Sequence, residues 1–451
     1  MQIKPILFAS GITFALCIVV FSVQAGTLVI SNATLIDGTG AAPQEDMTIV
    51  IEDELVQSVG TNTTEIKDAR HINAKGRFVM PGLVDMHTHP TFEIRQDNPS
   101  MPFPEPTAMP SSDEEMREFI EKRLPGRMLK FLHAGVTTVV AAGGYWPFDI
   151  EVRERQYAGD FTGPRLLVAS PIFTAPGGHP ASGICSHKTW CADRLSVQVA
   201  DASSAREAVR HFARGGVQGI KLVYDSFNKT HLGGPDFDFP RLDKDVMAAI
   251  VLEAGKLGLP VVAHTKTVAE TADAVHAGVD ALVHSALQEN PDFTTPAGEY
   301  LPQLVASHKL TMTTTVRSFY QRLKTAPAEK MEQAKRNFAL LEPSLRAYDK
   351  AGVTLLFGTD FDGAGLDPDP AVAVRSEASA LVAAGFSELE VIKMATGNAW
   401  KHPMVPVNLG SIQPGKLADL LILSADPIAD INAITSPLVV IKAGEIVVDK
   451  R

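Results

Sequence analysis

The stretch Met80-Pro81-Gly82-Leu83-Val84-Asp85-Met86-His87-Thr88-His89-Pro90 determines how the rest of the chain is interpreted. Its apolar run, 83–86, is typical of a buried strand and ends in two histidines separated by one residue. Side chains alternate faces along a strand, so His87 and His89 are expected to project from the same face. Two imidazoles on one face at the exit of a strand can hold one metal ion between them.

The composition of the 451-residue chain indicates a globular protein with a substantial core, since 45% of the residues are hydrophobic and 21% are charged. The length suits a barrel of roughly 250–400 residues with a smaller second domain. The formal net charge of −11 argues against nucleic acid or an anionic membrane as partner, because either would require a basic face. A small-molecule substrate is the expected partner, and homo-oligomerisation is left open.

The first 25 residues have the pattern of a secretory signal peptide: a short basic start, an apolar run over 6–23 and a small-residue site ending at Ala25. Export to the periplasm or the medium is therefore expected. Because the apolar run is long, an uncleaved membrane anchor is the alternative. Cleavage would leave Cys185 and Cys191 in the mature chain, and two cysteines this close in an exported protein predict a small disulfide.

Strand patterns at both ends of the chain predict a small β-sandwich domain built from residues 26–80 and 402–451. The clearest runs are rich in β-branched residues and are bounded by turns. They cover 27–30, 47–51, 55–59, 420–423, 438–441 and 445–448.

Between the two ends, over 81–401, strand-like runs alternate with amphipathic helical segments such as 111–133, 203–214, 243–256, 268–277 and 329–350. Eight such runs predict a (β/α)₈ TIM barrel, an α/β fold. They cover 83–89, 137–142, 165–170, 219–224, 260–265, 281–285, 311–316 and 354–360. The long loops 91–112 and 225–241 follow the first and fourth strands and are candidate lids. An open doubly wound sheet is disfavoured because the chain has no glycine-rich phosphate loop.

Six residues able to bind metal lie at or near the carboxyl ends of these strands. They are His87, His89, Lys221, His264, His284 and Asp360. Each taken alone has an ordinary structural explanation, such as a helix cap for an aspartate or a salt bridge for a lysine. In a barrel, however, all six would point toward one mouth.

These residues, together with several short motifs, make the chain resemble the amidohydrolase superfamily, in particular its imidazolonepropionase-like and prolidase-like branch. The further motifs are Gly135-Val-Thr-Thr138, Gly178-His179, Ala277-Gly-Val-Asp280, Phe357-Gly-Thr-Asp360 and the segment 410–420. The resemblance covers nearly the whole mature chain. It implies two divalent metal ions, expected to be Zn²⁺, one held by His87, His89 and Asp360 and the other by His264 and His284.

Lys221 would bridge the two ions as a carboxylated lysine by the same resemblance. An ammonium group has no lone pair and would repel two cations. Capping it with CO₂ gives an anionic carbamate that can span metals roughly 3.5–4 Å apart. The alternative is an unmodified Lys221 beside a single metal ion.

The implied activity is hydrolysis of a C–N bond in a small molecule such as a dipeptide or an N-acyl amino acid. A metal-bridging hydroxide would attack the carbonyl, with Asp360 as general base and then acid. His179 and Tyr224 are candidate catalytic and substrate-binding residues, and Arg317 is a candidate clamp for a substrate carboxylate. The same site acting on a lactone, carbamate or phosphotriester is an alternative, as is a non-catalytic exported binding protein.

Overall fold

The computed structural model describes residues 26–61, 66–92, 109–185, 188–226, 239–284, 296–363 and 369–451. The amino-terminal segment 1–25, most of the loop 91–112 and most of the loop 225–241 lie outside these ranges. The predictions of a signal peptide and of two lids therefore concern residues that the structure does not describe. None of the helices in the described ranges has the length and apolar character needed to cross a membrane.

The strands of both chain ends form one mixed eight-stranded sheet, which confirms the predicted terminal β-domain. Apolar side chains from strands of both ends pack into a single core, including Ile30, Ile49, Leu420 and Ile441. The amino-terminal strands are β1 (Leu28–Leu35), β2 (Gln44–Glu52), β3 (Leu55–Gly60), β4 (Arg70–Asn73) and β5 (Phe78–Pro81). Strand β5 pairs with both β1 and the later segment 420–422, so it joins the two chain ends.

The middle of the chain forms the predicted (β/α)₈ barrel of parallel strands. They are β6 (Leu83–Thr88), β7 (Val136–Ala141), β8 (Arg165–Thr174) with the short β9 (Ser196–Gln198) at its side, β10 (Gly219–Val223), β11 (Val261–His264), β12 (Ala281–Val283), β13 (Thr311–Thr313) and β14 (Thr354–Leu356). Main-chain hydrogen bonds close the barrel between β6 and the segment after β14, from Met86 N to Phe357 O at 3.0 Å and from Asp360 N to His87 O at 2.7 Å. The terminal sheet is completed by β15 (Leu420–Leu423), β16 (Pro437–Lys442) and β17 (Glu445–Asp449).

Helices follow the barrel strands and cover them from outside. They are α1 (Asp113–Lys122), α2 (Leu124–His133), α3 (Phe148–Tyr157), α4 (Thr189–Leu195), α5 (Ala202–Arg214), α6 (Lys244–Lys256), α7 (Val268–Ala277), α8 (Pro296–Ser307), α9 (Arg317–Thr325), α10 (Ala328–Ala339), α11 (Leu341–Lys350), α12 (Pro370–Ala383) and α13 (Glu388–Ala395). The segments 111–133 and 329–350 each contain two helices rather than one. Each break lies just before a proline, Pro125 or Pro343, which lacks the N–H that a continuous helix would use.

Residues 402–409 close the amino-terminal end of the barrel, although the sequence placed them in the terminal β-domain. Met404, Val405 and Leu409 pack against interior side chains of the barrel strands. Met404 approaches the first residue of β10 so closely that a Cβ on Gly219 would lie 2.7 Å from its sulfur. The barrel is therefore filled from below, and its open end is the carboxyl face.

Cys185 and Cys191 form a disulfide, as predicted, with their sulfur atoms 2.04 Å apart. Both cysteines are fully buried. Neighbouring Trp190 lies 5.2 Å from the ring of Tyr145, which in turn contacts Phe92 beside His89. The disulfide thus supports the wall of the barrel nearest the first histidine pair.

Candidate metal centre

The strand ends bring four imidazoles and one carboxylate together at the carboxyl face of the barrel. The ring centroids of His87 and His89 are 5.2 Å apart, those of His87 and His284 are 5.0 Å apart, and those of His264 and His284 are 4.6 Å apart. Oδ1 of Asp360 lies 3.3 Å from Nε2 of His87 and 3.4 Å from Nε2 of His89. Both imidazoles of the opening motif therefore reach the same oxygen, as the alternation of side chains along a strand predicts.

A compact set of ligand atoms lies within this cluster. One atom each from His87, His284 and Asp360 lie within 4.8 Å of one another. Burial holds the pKa of His87 and of His284 well below the usual value, and it lowers that of His264 to about 3. These imidazoles are therefore neutral at physiological pH, which is the form that binds a metal ion.

The carboxylate of Asp360 is ionised even though burial opposes ionisation. Burial alone would raise its pKa, but hydrogen bonds to His87 and His89 and the nearby histidines hold the pKa well below its usual value. Its backbone has a φ of 53°, and that of His284 is 65°. Such left-handed conformations are uncommon away from glycine and cluster at functional sites, where the surroundings hold them in place.

Lys221 lies on β10 and is buried. It is 2% exposed, and its Nζ has no hydrogen-bond partner among the residues that the structure describes. Burial lowers its pKa to about 7, and the carboxylate of Asp360 opposes this shift only in part. A buried amine without a partner is costly unless another group completes its contacts. The donor set of neutral imidazoles, an ionised carboxylate and this amine therefore fits divalent metal ions.

Three histidines of the cluster are oriented by hydrogen-bond partners that the sequence did not predict. His89 Nδ1 lies 2.6 Å from the carbonyl oxygen of Gly143, and His284 Nδ1 is hydrogen-bonded to Thr315. Asp225 places Oδ2 at 3.1 Å from Nε2 of His264. The sequence signal for Asp225 was its position, since it is an acidic residue directly after Tyr224 at the end of the fourth predicted strand.

Asp85 is a second residue that sequence reasoning missed. Its carboxylate accepts hydrogen bonds from Thr359 N at 2.9 Å and from Thr359 Oγ1 at 2.6 Å, so it ties β6 to the turn that carries Asp360. Burial raises its pKa to about 6, while these hydrogen bonds oppose the shift. An acidic residue inside an apolar strand was its signal in the sequence.

Arg317 is placed differently from the expected carboxylate clamp. It is buried, and its guanidinium donates to the main-chain carbonyls of Thr359 and Asp360, the latter at 2.8 Å. Its own backbone N–H donates to Glu377 Oε2 at 2.6 Å. Arg317 therefore positions the turn containing Asp360.

Tyr224 also lies elsewhere than at the metal cluster. Its hydroxyl donates to Asp273 Oδ2 on α7 at 3.1 Å, and the guanidinium of Arg241 lies over its ring. The side chain therefore faces the surrounding helices, in keeping with its position three residues beyond Lys221 on a regular strand. His179, by contrast, lies beside the cluster, with its ring centroid 6.3 Å from that of His264. Burial lowers the pKa of His179 to about 3, so its imidazole is neutral.

The amidohydrolase family model matches residues 78–447 of the chain. The protein therefore belongs to the amidohydrolase family, a family of hydrolases acting on carbon–nitrogen bonds, as its sequence predicted. The superfamily fold is likewise confirmed.

Individual relatives agree with this assignment. A dihydroorotase from Thermoanaerobacter sp. (strain X514) is 38% identical over 72 residues, which is 15% of this chain and 16% of that protein. The chain thus matches only about a sixth of the length of this curated relative. The crystal structure of an amidohydrolase has 25% sequence identity and a TM-score of 0.74, covering 94% of this chain and 99% of the other. A prolidase complexed with N-methylphosphonate-L-proline shares the fold at 22% identity and a TM-score of 0.74, covering 94% of this chain and all of that one.

Proposed function

We propose that this protein is a metal-dependent hydrolase of an amide or peptide-like bond in a small molecule such as a dipeptide or an N-acyl amino acid. The observation that carries the proposal is the convergence of His87, His89, His284 and ionised Asp360 at the open end of the barrel. The similar prolidase, whose structure was determined with N-methylphosphonate-L-proline, supports a peptide-like substrate.

Two divalent ions, expected to be Zn²⁺, would be held by His87, His89 and Asp360 on one side and by His264 and His284 on the other. When bound, they would supply Lewis-acid polarisation of the carbonyl and a lowered pKa of water. Asp360 takes the proton from the attacking water and delivers it to the leaving nitrogen, because its carboxylate is ionised at neutral pH. His179, whose ring centroid lies 6.3 Å from that of His264, would donate a hydrogen bond to the carbonyl oxygen.

The buried Nζ of Lys221 supports carboxylation of this residue. A neutral amine attacks the carbon of CO₂: the N–C bond forms while one C=O π bond breaks and its electron pair moves to oxygen, and one proton leaves the nitrogen to give an anionic carbamate. Carboxylation would convert this buried amine, which has no hydrogen-bond partner among the described residues, into an anion that divalent metal ions could hold. A carbonyl resonance from ¹³C-labelled bicarbonate that is present in the wild type and absent in Lys221→Ala would test the modification.

Activity and metal content test the proposed function together. We expect the zinc-loaded protein to hydrolyse members of a panel of dipeptides and N-acyl amino acids faster than lactones, carbamates or phosphotriesters, and to contain two metal equivalents per chain. A protein that binds no metal would contradict every enzymatic assignment of this site. Preferential cleavage of a lactone or phosphotriester would support the same metal site but would show that the enzyme does not act on an amide bond.

Export is a separate part of the proposal and rests mainly on the sequence of residues 1–25. The disulfide between Cys185 and Cys191 supports it, because such bonds persist in oxidising compartments. A mature amino terminus at Gly26, measured by mass spectrometry of protein from the periplasm or medium, is the expected result. An intact Met1 terminus in a membrane fraction would indicate an anchor instead.

A further inference from the structure

A buried carboxylate outside the proposed ligand set, that of Glu377, binds the segment that follows β13. Glu377 lies on α12, and its side chain is excluded from solvent. Its Oε1 accepts a hydrogen bond from the hydroxyl of Thr314 at 2.6 Å, and its Oε2 accepts one from the main-chain N–H of Arg317, also at 2.6 Å. The two oxygens of one side chain therefore hold both ends of the segment 314–317.

Through Thr315, this segment contacts a ligand of the ion proposed for His264 and His284. The backbone of Thr315 has a φ of 50°, a left-handed conformation that is unfavourable for a β-branched residue and must be held by its surroundings. The hydroxyl of Thr315 donates to the carbonyl oxygen of Thr314 at 2.8 Å, so its oxygen accepts the Nδ1–H of His284. This tautomer leaves the lone pair on Nε2 of His284 for a metal ion.

Through Arg317, the same segment contacts a ligand of the other proposed ion. The guanidinium of Arg317 donates to two main-chain carbonyls in the turn 357–361, one of them that of Asp360 at 2.8 Å. Asp360 and His284 come from different strands and belong to different proposed ions. Both nevertheless contact the short segment that Glu377 holds at its two ends.

We propose that Glu377 is a positioning residue for both proposed metal ions, because fixing the segment 314–317 orients His284 and the turn of Asp360 together. A buried carboxylate is costly unless hydrogen bonds satisfy its oxygens, and Glu377 has a donor on each oxygen. Groups that orient metal ligands typically change metal affinity by about 10- to 100-fold when they are removed. This inference rests on the proposed function, since it concerns the same two-ion site.

Stepwise zinc affinities of the full mature protein, measured by competition against a chromophoric chelator, test this role. Glu377→Gln keeps the shape of the side chain but only one acceptor oxygen, so both zinc-binding steps should weaken by about tenfold. Glu377→Met removes both acceptors and should weaken both steps by about 100-fold. Circular dichroism of the same samples shows whether each variant is folded, and the Gln variant alone decides if the Met variant is not.

Glu253→Gln is the matched control, because Glu253 is also a buried acid on a helix of the barrel. Its carboxylate binds Arg210 at 2.6 Å and Lys256 at 3.1 Å, and these partners lie on α5 and α6. The control should bind both zinc ions like the wild type. Unchanged zinc affinities in Glu377→Gln, an equal loss in the control, or weakening of only one binding step would overturn the positioning role.

Ring ¹⁵N NMR of the zinc-free protein gives a readout that needs no metal ion. The resonances of His284, assigned by comparison with His284→Asn, should show the Nδ1–H tautomer in the wild type and in Glu253→Gln. Glu377→Gln should also populate the Nε2–H tautomer, because Thr315 is no longer held in place. The same single tautomer in all three proteins would overturn the role of Glu377.

The failure of this inference is distinguishable from the failure of the proposed function. A wild type that binds no zinc would contradict the proposed function, and the tautomer comparison would still decide whether Glu377 positions His284. A wild type that binds two zinc ions, with Glu377→Gln indistinguishable from it, would leave the proposed function intact and overturn only the positioning role.

Discussion

At the scale of single residues, the chemistry of the site depends on the protonation states of its histidines and of Asp360, which burial and neighbouring side chains determine. The same burial that keeps His87, His264 and His284 neutral would also protonate a lone carboxylate. Asp360 remains ionised because two imidazoles hydrogen-bond its oxygen. The site therefore combines neutral nitrogen donors with one fixed anion, a combination that binds divalent cations.

Asp360→Asn is expected to lower kcat by at least about 10²-fold, because an amide cannot accept the proton of the attacking water. The amide has nearly the shape of the carboxylate, so the protein should remain folded. Steady-state kinetics, with circular dichroism and zinc content measured on the same sample, check this expectation. Turnover at the wild-type rate would show that another group is the base.

At the scale of elements, the turn 357–361 is held by contacts from β6, from β13 and from the first residue of α9. Gly358 is required there, since a Cβ would lie 2.4 Å from Cγ2 of Thr313. Asp85 holds Thr359 through two hydrogen bonds, and Arg317 holds the two carbonyl groups that follow. These contacts support the left-handed backbone of Asp360, which is otherwise unfavourable.

Thr359→Val is expected to weaken zinc binding by about 10- to 100-fold, because it removes the hydroxyl that donates to Asp85 at 2.6 Å and leaves a buried carboxylate oxygen unsatisfied. Competition against a chromophoric chelator measures the affinity. Thr359→Ser keeps the hydroxyl and serves as the matched control, so it should bind zinc like the wild type. Equal affinities for the Val and Ser variants would mean that the Asp85 contact does not position Asp360.

At the scale of the whole molecule, the two chain ends form a separate sheet and also support the barrel. Strand β5 leads from that sheet directly into β6 and its histidines, and residues 402–409 fill the opposite end of the barrel. The terminal domain and the barrel are therefore joined at the amino-terminal end of the barrel, opposite the site. Packing at the floor of the barrel supports the strands that carry the site histidines.

Met404→Ala is expected to destabilise the protein by about 2–5 kcal/mol, because the side chain is buried against the barrel strands and its loss leaves a cavity. Chemical denaturation of the zinc-free protein measures the change. Val407→Ala is the control from the same segment, since Val407 is 72% exposed and its truncation should cost little. A Met404 variant as stable as this control would show that the segment does not support the barrel.

By itself, the sequence predicted the architecture and identified the candidate metal-binding residues at the strand ends. Strand runs ending in His87, His89, His264, His284 and Asp360 were recognisable because side-chain alternation and strand periodicity are local properties of the chain. The disulfide was predictable for the same reason, since its two cysteines are close in sequence.

Only the tertiary structure decided what surrounds that centre. Arg317 and Tyr224 follow their strands as a substrate residue would, yet one binds main-chain carbonyls and the other faces a helix. Asp85 and Asp225 acquire their roles from partners that are distant in the sequence, Thr359 and His264. Such pairings depend on which strands become neighbours when the barrel closes, and no local pattern encodes that choice.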